Sequence, residues 1–138
     1  MATQAGIGYG GYVEVSSDSG GSWTRIAEAR NIKPPSDNLD IIDATNMDSP
    51  GGIREFVPGL SDPGDFSFSI NFVPNSGGDV KIQELRALRT TVKWRITYRN
   101  GATWTFDGFL QGYVPDVPTD GLMTADVSVK VTGPYVAA

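Results

Sequence analysis

The sequence predicts a mainly β protein: an antiparallel β-sandwich or partial barrel with one flanking α-helix. Three observations predict it. Apolar and polar residues alternate with a period of two through four separate runs, 66–73, 92–98, 102–110 and 124–131, which is the pattern of strands with one buried face. A single window, Asp79–Arg89, carries a helical apolar spacing, at Ile82, Leu85 and Leu88. Seventeen Gly and nine Pro in 138 residues demand many turns, which suits short strands better than a helical bundle. The length fits one domain, residues 1–138, and is enough to bury a core of its own.

The elements follow in chain order. Residues 1–11 are small and Gly-rich and read as a flexible N-terminal arm. Tyr12–Val15 reads as a strand, Ser16–Ser22 as a turn cluster, and Trp23–Ile26 as the returning strand of a hairpin. Lys33–Asp37, with two Pro, is a break, and Leu39–Thr45 reads as a strand rich in Asp. Residues 44–64 read as a long loop. Phe66, Phe68, Ile70 and Phe72 then alternate with Ser67, Ser69 and Asn71, and this strand is expected to anchor the core, at about 1.5–3 kcal/mol per large buried side chain. Asp79 is the expected cap of the helix, with Gly77–Gly78 before it and Arg86 and Arg89 toward the end where the helix dipole favours cations. Val92–Tyr98 and Ala102–Leu110 are strands joined by Asn100-Gly101, the strongest hairpin signal in the chain. Gln111–Gly121 reads as a Pro- and Asp-rich loop, and Thr124–Val131 as the last strand.

Composition removes several kinds of chemistry. The chain has no Cys and no His, so thiolate nucleophiles, disulfides, Ser-His-Asp catalysis and His- or Cys-ligated metals are excluded. Sixteen acids against eleven bases leave a net charge of −5, which is not the footprint of a protein that grips phosphates. No basic, apolar leader opens the sequence and no run approaches 18 apolar residues, so neither a signal peptide nor a membrane partner is expected. Gly6, Gly8 and Gly11 fit the spacing of a dinucleotide loop, but a strand rather than a helix is expected to follow. Asp37, Asp40 and Asp43 lack the spacing of a calcium loop and read as a solvated acidic face. Trp94 and Trp104 sit at alternating strand positions and read as core rather than a sugar platform. Lys93, Arg95 and Arg99 share one strand face, and in an acidic chain they are expected to pair with carboxylates or to cover a subunit contact.

The stretch from Thr45 to Leu60 is the unusual one. Turn signals at Asp48-Ser49-Pro50-Gly51-Gly52 and Pro58-Gly59 bracket Ile53, Phe56 and Val57. Such a segment makes a poor core strand and a poor solvent loop, so its apolar residues are expected to be buried outside their own subunit. The run Asp43-Ala44-Thr45-Asn46-Met47-Asp48-Ser49-Pro50-Gly51-Gly52-Ile53-Arg54-Glu55-Phe56-Val57-Pro58-Gly59-Leu60, then Asp62 and the Phe66–Phe72 strand, resembles the tail tube proteins of long-tailed bacteriophages of the lambda-like siphophage type. The resemblance spans roughly residues 10–132 and holds in the order of elements as well as in this motif.

That resemblance implies a structural virion protein that forms hexameric rings, stacked into a hollow tail tube through which DNA is delivered. Sheets of six subunits would join into one inner barrel, and the 44–64 loop would reach a neighbouring subunit or ring. Met47, Ile53, Arg54, Glu55, Phe56, Val57 and Leu60, with Gly8, Tyr9 and Tyr12 of the N-terminal segment, are the expected inter-subunit contacts. Arg54 and Glu55 are expected to set register through ion pairs. Four strands per subunit, spaced about 4.8 Å and tilted roughly 40°, give a wall on the order of 50 Å across, wide enough for a duplex. The implied partners are copies of the chain, other tail proteins at the tube ends, and genomic DNA that passes without specific binding. The implied location is the virion tail, after synthesis in the bacterial cytoplasm. The family pattern carries no catalytic residue, cofactor, metal or small-molecule substrate. An appended C-terminal domain, which some relatives carry, is not expected here. Alternative readings are a tube protein of a contractile injection or type VI secretion system, a monomeric carbohydrate-binding sandwich, and an acid-pair hydrolase.

Overall fold

The computed structural model describes residue 6, residues 8–26 and residues 28–137; the expected arm at residues 1–11 therefore lies partly outside the described residues. In chain order the elements are β1 (Tyr12–Ser16), β2 (Thr24–Ile26), β3 (Ala29–Lys33), β4 (Asn38–Asp43), a 3-10 turn (Pro50–Gly52), β5 (Phe56–Asp62), β6 (Asp65–Asn71), α1 (Gly77–Leu88), β7 (Val92–Thr97), β8 (Thr103–Asp116) and β9 (Thr124–Ala137). Seven strands form one antiparallel sheet in the order β2-β1-β7-β8-β9-β6-β3, and β4 and β5 pair only with each other.

The seven-stranded sheet folds over itself. In sheet order β8 and β9 separate β6 from β7, which in a flat sheet would put the two about 14 Å apart. Yet the Phe66 ring of β6 lies 6.0 Å from the Trp94 ring of β7. The fold is made by β8 and β9, each 14 residues long, which run through both layers. Residues 103–108 of β8 pair with β7, while residues 124–130 of β9 pair with β6. One layer is thus β2-β1-β7 with the first half of β8 and the last half of β9. The other has four strands: the second half of β8, the first half of β9, β6 and β3. Strands that switch layers need bulges to bend, and the β8–β9 register shifts between Thr105 and Asp107 and again between Leu110 and Gly112.

The core lies between the layers. Val13, Val15, Trp94, Ile96 and Phe106 of one layer meet Phe66, Phe68, Ile70, Val127 and Val129 of the other, all buried. Each comes from a run whose partners alternate outward, as period-two patterning requires. At the bend Gly108 is buried, and a Cβ there would lie 2.8 Å from Val129 Cγ1 and 2.9 Å from the Lys130 carbonyl oxygen. Trp94 Nε1 donates to the Gly108 carbonyl at 3.2 Å. Only glycine lets the layers approach this closely.

Helix α1 covers β8 and β2 with Ile82 and Leu85, while Leu88 is left exposed. Its N-cap is Ser76, not the expected Asp79. Ser76 Oγ accepts from the Asp79 amide at 3.4 Å, and the Asp79 carboxylate reaches back to accept from the Asn75 amide at 3.0 Å. This is a variant of the capping box, with Asp in the third helical position reaching back to the amide of the residue before the cap. Asp79 also accepts from the Tyr113 hydroxyl at 2.7 Å, so each oxygen of its buried carboxylate has a donor.

Three expected boundaries move. The loop expected at 111–121 begins only after Asp116, and the last strand runs on from Val131 to Ala137. The long loop at 44–64 contains a strand, β5, that pairs with β4. Pro58 and Pro115 lie in the two segments that read as loops, and Pro134 lies in the extension of the last strand. Each sits on a strand portion with one unpaired edge, where a missing N–H costs no ladder bond. The Asn100-Gly101 hairpin is as expected, with Tyr98 and Ala102 bonded across it at 2.8 Å.

Candidate subunit interface

Strands β4 and β5 form a two-stranded arm that carries the Thr45–Leu60 segment. Its register places Ile42 opposite Val57 and Asp43 opposite Phe56. All six residues of β4 are exposed, and of β5 only Gly59 is even half-buried. The tip is nevertheless well hydrogen-bonded. The Ala44 amide donates to the Glu55 carbonyl at 2.9 Å, the Glu55 amide to Thr45 Oγ1 at 2.9 Å, and the Asn46 amide to Ser49 Oγ at 3.0 Å. Ser49 Oγ donates to Glu55 Oε2 at 3.0 Å, and the Ile53 amide closes the 3-10 turn onto the Pro50 carbonyl at 3.3 Å. The Thr45 hydroxyl and amide hold the Asp43 carboxyl below its ordinary range.

The arm thus satisfies much of its backbone locally while leaving its apolar side chains in water. Met47 is fully exposed, Leu60 is 84% exposed and Phe56 57%, with Ile53 and Val57 exposed beside them. The arm adds three that sequence reasoning missed: Leu39, Ile41 and Ile42. Eight of the 17 large hydrophobic residues exposed among the described residues therefore fall within residues 38–62, a concentration that marks an interaction surface. The signal for the missed three was present, because an apolar strand beside a second apolar segment needs a partner strand, but the pairing partner is not written in either segment alone. Arg54 and Glu55 make contacts within the arm: Arg54 lies 3.7 Å from Asp43, and Glu55 holds Ser49.

Gly8, Tyr9 and Tyr12 belong to a different surface. Gly8 and Gly11 close a turn that leads into β1, so the glycine spacing there opens a strand and not a nucleotide-binding helix. Tyr9 is exposed, and the Arg25 guanidinium stands 4.3 Å over the Tyr12 ring. Of the three cations expected to pair here, Arg95 meets Glu14 at 2.9 Å and Lys93 meets Asp107 at 3.2 Å, while Arg99, beyond the end of β7, has no ion pair among the described residues. Arg95 also covers the Trp23 ring at 4.2 Å. Trp94 is fully buried, and Trp104 stacks on Tyr135 at 4.7 Å. Among the described residues no group of acids is placed to hold a metal ion.

The sheet itself offers further contacts. Among the described residues β2 pairs only with β1, β3 only with β6, residues 109–116 of β8 only with β9, and residues 131–137 of β9 only with β8. Each leaves a row of backbone donors and acceptors free to pair with another chain. An arm of displayed apolar groups and four free edges is the anatomy of a subunit that assembles.

Residues 9–138 match the sequence family described as lambda phage tail tube protein, TTP. The chain belongs to that family. No curated protein matches it. Solved structures share the tail tube fold. A subunit in the tail of an empty gene transfer agent particle, refined with C6 symmetry, superposes with a TM-score of 0.80 at 16% identity, over 97% of this chain and 99% of that one. A chain in the six-fold symmetrised baseplate of the anti-feeding prophage gives 0.74 at 13% identity, over 100% and 97%. The SPP1 tail tube subunit gives 0.63 at 11% identity, over 92% and 74%. This tail tube protein is a structural, self-assembling component of the phage tail. The contractile injection alternative shares its fold, and the sequence family separates the two.

Proposed function

We propose that this tail tube protein, acting as one domain over residues 1–138, closes into hexameric rings that stack through the β4–β5 arm into a tube for duplex DNA. The observation that carries the reading is the arm: eight large apolar side chains exposed on an internally bonded hairpin. In this reading Met47, Ile53, Phe56, Val57 and Leu60 are buried against a neighbouring subunit, each contributing up to about 1.5–3 kcal/mol when fully covered. Arg54 and Glu55 then add orientation more than affinity, and Gly8, Tyr9 and Tyr12 belong to the receiving side.

The four-stranded layer is the one suited to the lumen. Its free edges, β3 and residues 109–116 of β8, can pair between subunits and close six sheets into one barrel. The outward side chains of β6 and of β9 up to Lys130 are Asp65, Ser67, Ser69 and Asn71, and Thr124, Asp126, Ser128 and Lys130. Lys130 is held by Asp62 at 3.3 Å and Asp65 at 3.5 Å. Lys33 of β3 stands on the same face in register with Ser67, and the exposed Phe109 and Val114 of β8 in register with Lys130 and Asp126. With Asp65, Asp116 and Asp126 against Lys33 and Lys130 the wall is acidic on balance and offers phosphates little to grip, so DNA slides past without specific binding.

Phe56→Asp tests the arm. It leaves the melting transition of the isolated subunit unchanged, because Phe56 supports no intramolecular core, and abolishes rings or tubes in negative stain and size-exclusion chromatography. Normal tubes from the variant would remove the arm from the assembly.

A further inference from the structure

Strands β2 and β3, the two ends of the seven-stranded sheet, are consecutive in the chain and flank a cleft of about 730 Å³. Its walls bring Tyr9, Tyr12 and Tyr98 together with Arg25, Arg30 and Lys33. Among the described residues none of these three cations forms an ion pair; Arg86, Arg89 and Arg99 form none either, whereas Arg54, Lys81, Lys93, Arg95 and Lys130 all do. Glu28 is the one acid in the lining. In a chain of net charge −5, half of the unpaired cations of the described residues thus line one aromatic cleft.

The arm is its complement. Residues 38–62 hold Asp40, Asp43, Asp48, Glu55 and Asp62 against Arg54 alone, a net −4 within a total of −5. Asp43 and Asp62 already have cation partners in their own chain, while Asp40, Asp48 and Glu55 have none among the described residues. The chain's own arm does not fill the cleft, since every residue of β4 is exposed.

We infer that the β2–β3 cleft is the acceptor for the β4–β5 arm of a second copy of this chain, with arm apolar groups against the three tyrosines and Asp40, Asp48 and Glu55 facing Arg25, Arg30 and Lys33. The inference rests on the arm being the docking element. One arm and one cleft per subunit make a head-to-tail contact, which propagates from copy to copy and closes or stacks according to its rotation. Three exposed ion pairs contribute about 0.2–1 kcal/mol each, so they set orientation and encounter rate while the apolar groups hold the contact.

The test uses the full chain. Neutralising the cleft with Arg25→Gln, Arg30→Gln and Lys33→Gln raises the concentration needed for polymerisation roughly three- to hundredfold, the range those three pairs imply. Charge reversal with Arg25→Glu, Arg30→Glu and Lys33→Glu abolishes tubes, and adding Asp40→Lys, Asp48→Lys and Glu55→Lys to the same chain restores them. An unchanged critical concentration in the glutamine series overturns the inference whatever the fold of the reversed forms. So does a charge-swapped chain that melts like the native protein and yet forms no tubes. If Phe56→Asp blocks assembly while the glutamine series has no effect, the arm stands and only the cleft falls.

Discussion

Two residues fix the geometry of the layers, and both report it through stability. At Gly108 the added Cβ would meet Val129 Cγ1 and the Lys130 carbonyl at under 3.0 Å, and the carbonyl belongs to backbone that cannot swing aside. Gly108→Val therefore destabilises by at least the roughly 1–3 kcal/mol of an overpacked core, lowering Tm by several degrees in a thermal melt. A Tm within a degree of native would mean the bend is softer than its contacts imply. Tyr113 is the second. Burial, then the hydrogen bond to Asp79, pushes its phenol well above the ordinary tyrosine range, so it remains a donor at any pH the virion meets. Tyr113→Phe leaves the buried Asp79 short of one partner, which costs about 1–3 kcal/mol. Denaturant melts check it, with Phe72→Leu, which alters the neighbouring ring contact at 6.3 Å but not the carboxylate, as the control for packing alone.

At the level of elements, stability on the acid side rests on turns. Ser16 Oγ, the Ser22 amide and Ser22 Oγ converge on Asp18 at 2.6, 2.8 and 2.7 Å, and these donors hold its carboxyl well below the ordinary 3.8. Asp62 is likewise depressed, by the Gly64 amide and then by Lys130. A carboxyl depressed in the folded state stabilises fully above its unfolded value and loses that contribution as pH falls through the folded one. Tm is therefore expected to fall steadily below about pH 4, and Asp18→Asn to make the fall shallower while lowering Tm at neutral pH. An unchanged slope would remove Asp18 from the acid response. What the sequence made legible at this level follows from locality. The strands at 66–71 and 92–97, the Asn100-Gly101 hairpin and α1 each declare themselves within one window of alternation, turn chemistry or helical spacing. The second halves of β8 and β9 do not, because a bulge at Leu110–Gly112 shifts the alternation from Phe106 to Tyr113 and because Pro115 and Pro134 sit on edges only the folded topology defines. The same holds for the arm. Ile53, Phe56 and Val57 stood out between their turns, whereas Leu39, Ile41 and Ile42 needed the β4–β5 register, which joins segments whose pairing no local pattern records.

For the whole molecule the question is what the two layers do in a tube. One presents ion pairs and stacked rings on its outer face: Arg95 with Glu14 and Trp23, Lys93 with Asp107. The other presents hydroxyls and amides with Asp65 and Asp126, a Lys130 already held by two carboxylates, and Lys33 beside Ser67. If the second layer lines the lumen, its charge decides whether DNA slides or sticks, and assembly is indifferent to it. Ser67→Lys with Ser128→Lys places two cations on adjacent strands of that face, at positions paired in register. Repeated six times per ring, they create a cationic belt that condensed counterions on DNA would exchange against, so retention should depend steeply on salt. Tubes of the variant are expected to form at the native concentration and to hold duplex DNA at low ionic strength, releasing it as salt rises, while native tubes hold none. DNA bound only on the outside of such tubes in electron micrographs, or tubes that no longer form, would assign this face to the exterior or to a subunit contact.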